Sequence, residues 1–188
     1  MSLQRLFLIA FIVAFSAAAL FAIGVILFSS WNDLQDRILI STISIGGYSL
    51  IALCCATVYG HARWKLVSVA GLIACAAGLG FALLTNWRVI DSKLDDLLKG
   101  HFAFLTLAMA FGATALMLRM EAAQAIVGLF RGATVIFIWL SALMFEYMIF
   151  YVIGSSGEHT LITKLLAASS ILALLGLVVT PILRKVSA

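Results

Sequence analysis

The chain has 188 residues, of which 64% are hydrophobic and only 11% charged, with a single proline and a mean hydropathy of +1.19. A soluble domain carries about 25% charged residues and needs a polar exterior, so this composition excludes a water-solvated fold, a secreted disulfide scaffold and a disordered tail. The formal charge of +4 is spread along the chain without the clustering that a nucleic-acid reader requires.

A helix rising 1.5 Å per residue needs about 17–25 apolar residues to cross a hydrocarbon core of about 30 Å. Charge-free or nearly charge-free runs of that order predict spans over residues 6–28, 37–60, 66–87, 102–118, 131–153 and 162–183. The expected fold is all-α: a polytopic membrane protein, one integral domain over residues 1–188, folded as a six-transmembrane-helix bundle.

The first run follows Arg5 and resembles a signal peptide, with Ala17 and Ala19 imitating a cleavage site. It continues unbroken to Phe28, too long for a signal core, and is read as an uncleaved helix. Ala10, Ala14, Ala18 and Ala22 recur every fourth residue, a small-residue stripe of the kind that lets helix backbones approach closely. This stripe is expected inside the bundle or at a subunit contact.

The second span carries Ser44, Gly46, Gly47 and Tyr48, and ends in the adjacent Cys54 and Cys55, whose side chains diverge on a helix. The third places Ala70, Ala74 and Gly78 on one face, with Cys75 standing alone. Trp31, Trp64 and Trp87 fall at predicted span ends, where amphipathic rings favour the headgroup zone.

Between the third and fourth spans, Ile90, Leu94, Leu97 and Leu98 form one helical face. Asp91 or Ser92 can cap that segment, and Gly100 suits its stop. A short amphipathic helix on the membrane surface is expected there, as a connector or as a lid. The fourth span carries Ala108 and Gly112 at small-residue spacing.

The fifth span contains an ionisable residue well inside it, Glu146. A charge at that depth costs roughly 2.5–3.5 kcal/mol on insertion scales, so the carboxyl is expected to face the bundle, paired or protonated. Trp139, Ser141 and Tyr147 share its helix, and Ser44 and Tyr48 reach a similar depth if the second span is adjacent. Lys164 of the sixth span lies at a matched depth across a short turn. It is expected either to pair with Glu146 or to snorkel to the interface. A structural pair and a proton- or cation-linked site are both open. Trp139, in mid-span, reads as a packing residue, and Pro181 is expected to help terminate the sixth span.

With six spans, one side collects Arg5, Arg63, Lys65, Arg119, Arg131, Arg184 and Lys185, against Arg37, Arg88, Lys93, Lys99 and Lys164 on the other. The excess of Lys and Arg on the first side predicts both termini in the cytoplasm, with the chain in the plasma (inner) membrane.

Catalytic material is scarce. His61, His101 and His159 lie near span ends, and no Cys/His set has ligand spacing, so no metal, haem or other cofactor is expected. Residues 154–159, Gly-Ser-Ser-Gly-Glu-His, read as a turn rather than a triad.

Six helices in 188 residues, with small-residue spacing in the first, are similar to the substrate-binding subunits of energy-coupling-factor vitamin transporters. That resemblance of size and helix count implies a ligand-binding subunit energised by another protein. The residues themselves favour a non-enzymatic subunit or scaffold that packs against other membrane proteins or itself. A small transporter or channel with a site near Glu146 is the alternative. Reporter fusions placed after Lys65, Lys99 and Arg119 should report cytoplasmic, external and cytoplasmic positions; an external signal after Lys65 would reverse the orientation.

Overall fold

The computed structural model describes residues 32–87, 94–119, 125–152 and 160–186, together with scattered helical positions between Arg5 and Gly24. Among the described residues the protein is all-helical and has five helices long and apolar enough to span a membrane. These are α1 (Asp33–Ala56), α2 (Lys65–Asn86), α3 (Leu94–Arg119), α4 (Ala125–Tyr147) and α5 (Thr160–Val186), the second to sixth predicted spans. Ala10, Ala14, Ala18 and Ala22 of the first predicted span lie outside the described residues.

α1 starts one turn before the charge-free run, because its first turn is capped from within. The Gln35 N–H donates to Asn32 Oδ1 at 3.0 Å, and the Asn32 N–H donates to Gln35 Oε1 at 3.1 Å. This reciprocal capping box satisfies two otherwise orphaned donors. Asp33 and Asp36 in the same turn complement the positive end of the helix dipole. Trp64 and Trp87 flank α2 at its two ends, as the interfacial reading expects.

Over the described residues the surface helix expected near residues 88–101 is not a separate element: Leu94, Leu97 and Leu98 lie in the opening turns of α3, which runs unbroken through Gly100 to Arg119, while Ile90, Asp91 and Ser92 lie outside the described residues. Gly100 is a contact position rather than a stop: a Cβ there would lie 2.9 Å from Cε1 of Phe81, whose ring stacks on Phe104. Pro181 likewise lies inside α5 rather than ending it. Near a helix end its missing N–H costs one backbone bond, and membrane helices tolerate this.

α4 passes at Met148 into a π-helical turn, Met148–Val152, which widens the helix just beyond Glu146 and Tyr147. Such turns are rare and recur at functional positions.

α3 is the shared element. It packs on α1, α2 and α4, while α5 packs on α4. One cluster joins Tyr48 and Ala52 to Ala74, Cys75 and Ala82, and to Ala108 of α3. A second joins Ala110 of α3 to Ile138, Ala142 and Ala173. Both are built mainly from small side chains, because lipid gives apolar helices no reason to associate beyond packing and hydrogen bonding.

Two glycines of α2 are required by close approach. A Cβ on Gly78 would lie 2.6 Å from the Tyr48 hydroxyl oxygen. One on Gly71 would lie 2.5 Å from Cys55 Sγ and 2.9 Å from Phe111 Cβ, and the latter is fixed to its backbone and cannot swing away. Gly71→Ala should therefore lower stability by about 1–3 kcal/mol. Gly47→Ala, which meets nothing within 4 Å, should be neutral or mildly stabilising. Thermal unfolding of the two variants in detergent checks the contrast.

Candidate functional site

The antiparallel helices sort the charges. One end of the bundle collects Asp33, Asp36, Arg37, Asp95, Asp96 and Lys99, and the other collects Arg63, Lys65, Arg119 and Arg131. At this basic end Arg63 lies 5.0 Å from the centre of the Trp64 ring, and Lys65 Nζ lies 5.6 Å from that of Tyr59. These cation–π contacts pin both cations near the helix ends.

The acidic end holds the main interhelical polar network among the described residues. Asn86, the last residue of α2, donates its Nδ2 to the Arg37 carbonyl at 2.7 Å and to Ser41 Oγ at 2.8 Å. Trp87 Nε1 donates to the same Ser41 oxygen at 3.0 Å. One turn of α1 is thus tied to the end of α2. Beside this tie a cavity of about 370 Å³ opens, lined by Asp33, Asp36, Arg37, Thr85, Asn86 and Leu98, with Thr85 Oγ1 buried and unpartnered.

Deeper in the same helices, the Tyr48 hydroxyl and His101 Nδ1 are 3.3 Å apart, linking α1 to α3 within a cluster that buries all but 4% of Tyr48. Ser44, one turn before Tyr48, is half-buried. Nearer the basic end the free thiols of Cys55 and Cys75, both buried, are neighbours across α1 and α2. Cys75, the single cysteine of α2, thus has a neighbour on α1. Antiparallel packing returns it to the end of α1, where Ser68 Oγ also donates to the Cys55 carbonyl at 2.8 Å. Cys54 points elsewhere, toward Gly112 of α3, as adjacent helical positions require. Among the described residues no three His, Cys, Asp or Glu side chains converge.

The residues singled out around Glu146 do not come together. Tyr48 belongs to the α1–α2–α3 cluster, whereas Glu146 is on α4, which packs on α3 and α5. Trp139 packs edge-on against Phe111 at 4.9 Å between ring centres, a packing residue as expected. Glu146 continues the row Thr134, Ile138 and Ala142 at every fourth residue and is half-buried, with Oε1 buried and without a hydrogen-bond partner.

The expected pair with Lys164 is not formed: Lys164 is exposed. The depth argument holds and the rotation defeats it. Gly176 abuts Thr134, and Glu146 and Lys164 each lie twelve residues from that contact toward the acidic end. The face of α5 that meets α4 is Ser169, Ala173, Gly176 and Thr180. Lys164 precedes Ala173 by nine residues, about 2.5 turns, and so points to the opposite side.

An apolar groove of about 410 Å³ runs between α3, α4 and α5 past Thr106, Ser141, Ala142 and Ser170. Thr106 and Ser141 donate to carbonyls of their own helices, at 2.9 and 2.7 Å, and so offer the groove no free donor hydrogen. No protein-family model, curated protein or solved structure matches this chain.

The Ser41–Asn86–Trp87 tie has a measurable signature. Ser41→Ala and Asn86→Ala should each destabilise by about 0.5–1.5 kcal/mol for every bond lost. The double variant should lose less than the sum, because the two share one bond. Additive losses in detergent unfolding would show that the tie does not act as a unit.

Proposed function

We propose that the chain is a non-enzymatic integral membrane protein of the plasma membrane that serves as a subunit or scaffold of a membrane assembly, with both termini cytoplasmic. One observation carries this reading: Glu146 sits in an apolar helix with Oε1 buried and unpartnered. An intramembrane acid is costly, and its usual compensation is a partner of opposite charge or a hydrogen-bond donor. The described residues of this chain supply neither, although they enclose Oε1; the residue as a whole stays half-buried, and this reading has another subunit cover its exposed part. The neighbouring lipid-facing surface is continuous with it, since Leu143 and Tyr147 are 62% and 45% exposed.

A second reading, a transporter or a substrate-binding transport subunit, is favoured by the acidic-end cavity rather than by Glu146. Its lining combines two carboxylates, a guanidinium, an amide and a hydroxyl within about 370 Å³, the mixture that a small zwitterion or amine recognises.

The two readings part on one experiment. Gentle extraction from the native membrane followed by native mass spectrometry should give complexes heavier than the 20.2 kDa chain. A lone 20.2 kDa species stabilised by a small polar solute would favour transport instead.

A further inference from the structure

We infer that the cavity at the acidic end of α1, α2 and α3 holds the headgroup of a zwitterionic phospholipid with a primary ammonium, phosphoethanolamine in its simplest form. This inference rests on the cavity chemistry of the second reading above, and it assigns that chemistry to a resident lipid rather than to a transported solute.

The cavity's charges are ordered by depth. Trp87, 44% exposed, donates its Nε1 to Ser41 Oγ at 3.0 Å, and an indole at a span end marks the headgroup boundary. Arg37 lies one turn of α1 outside that level, about 6 Å, and Asp33 another turn beyond it. A cation therefore stands where lipid phosphates lie, and a carboxylate stands further out, where a headgroup ammonium reaches. Ile40 of α1, at the Trp87 level, and Leu98 of α3 line the inner wall. An anionic group inward, an ammonium outward and an apolar continuation beneath is the order in which a phospholipid presents its parts. Free glycine shares the two charges and brings nothing for the apolar inner wall.

Groups around this space are left over by the chain itself. Asp33 and Arg37, four residues apart on one face of α1, are spaced for a helical ion pair and form none with each other. Thr42, Thr106, Thr134 and Thr180 donate their hydroxyls to the carbonyl four residues back on their own helices. Thr85 does not: it lines the cavity, and its Oγ1 is buried without a hydrogen-bond partner. An anionic oxygen in the cavity can accept from that hydroxyl and from the Arg37 guanidinium, while a primary ammonium donates to the Asp33 carboxylate. The walls are set before a ligand arrives, since Asn86 Nδ2 ties the Arg37 carbonyl at 2.7 Å and Ser41 at 2.8 Å.

The test uses the full chain, purified in detergent and offered dioleoyl lipids, with bound lipid counted by native mass spectrometry. Phosphatidylethanolamine should be retained at least about tenfold better than phosphatidylcholine, whose trimethylated nitrogen has no proton to donate, and than phosphatidylglycerol, which has no ammonium. Two variants separate the two charges. D33N with D36N should bring phosphatidylethanolamine down to the level of phosphatidylcholine, and the capping box of Asn32 and Gln35 still starts α1 in that variant. R37Q should weaken both lipids alike, at least about tenfold, by removing the phosphate contact. It leaves the Asn86 tie in place, because Arg37 gives that tie only its backbone carbonyl. Glycine, added during thermal unfolding in lipid-free detergent, is the free-solute arm and should not stabilise the protein. Equal retention of the three lipids, or an unchanged preference without the two carboxylates, overturns the inference. Stabilisation by glycine overturns the lipid as occupant and leaves the transport reading standing, whereas no lipid preference together with no glycine effect overturns both.

Discussion

The protein depends on how closely its helices can approach. In a bilayer, burying leucine against leucine gains little over burying it against lipid, so contact must come from backbone proximity and shared polar groups. The sequence answers with alanine, glycine and serine at the crossing points. Gly71 and Gly78 give α1 room for Cys55 and Tyr48, and the second cluster turns on Ala110, Ala142 and Ala173. The large aliphatic side chains face outward: Leu66, Ile73, Leu129 and Leu161 are among the most exposed residues. In water this would be an inverted protein. In lipid it is the ordinary division of labour.

Hydrogen bonds then fix what packing leaves loose. Ser68 takes the Cys55 carbonyl near the end of α1, where helical carbonyls lack intrahelical partners. Asn86 and Trp87 converge on Ser41 at the opposite end of the same helix pair. With a tie at each end and glycine contacts between, α1 and α2 are clamped along their length. Tyr48 and His101 extend the clamp to α3.

Span positions were legible because charge is so rare that each ionisable residue marks a boundary. Helix ends were less so. The capping box at Asn32 and Gln35 was readable as Asn-x-x-Gln ahead of an apolar run, and it moves the start of α1 outside the hydrophobic segment. The amphipathic stretch near Leu97 was correctly helical, but its junction with the span was hidden. Gly100 satisfies a stop signal and a ring contact with Phe81 equally well, and only the tertiary neighbour separates them. The site shows the same division. Depth follows from residue counting, so the level of Lys164 relative to Glu146 was accessible. Rotation about the helix axis depends on which face of α5 meets α4; the small and polar row Ser169, Ala173, Gly176 and Thr180 marks that face, and setting Lys164 against it would have put the lysine on the other side. The Cys55–Cys75 and Tyr48–His101 contacts join residues with no local signal at all.

The central place of α3 has a consequence for how the chain is made. α2 packs on α1, α3 on both of these, α4 on α3, and α5 on α4. Every described helix after α1 therefore finds a packing partner among those already synthesised. At roughly 5–20 residues per second a new span emerges every few seconds, and each meets a completed surface on arrival. Insertion order thus supports stepwise assembly, each span from α2 onward docking on arrival, while α2 and α4 complete their larger contacts when α3 and α5 follow.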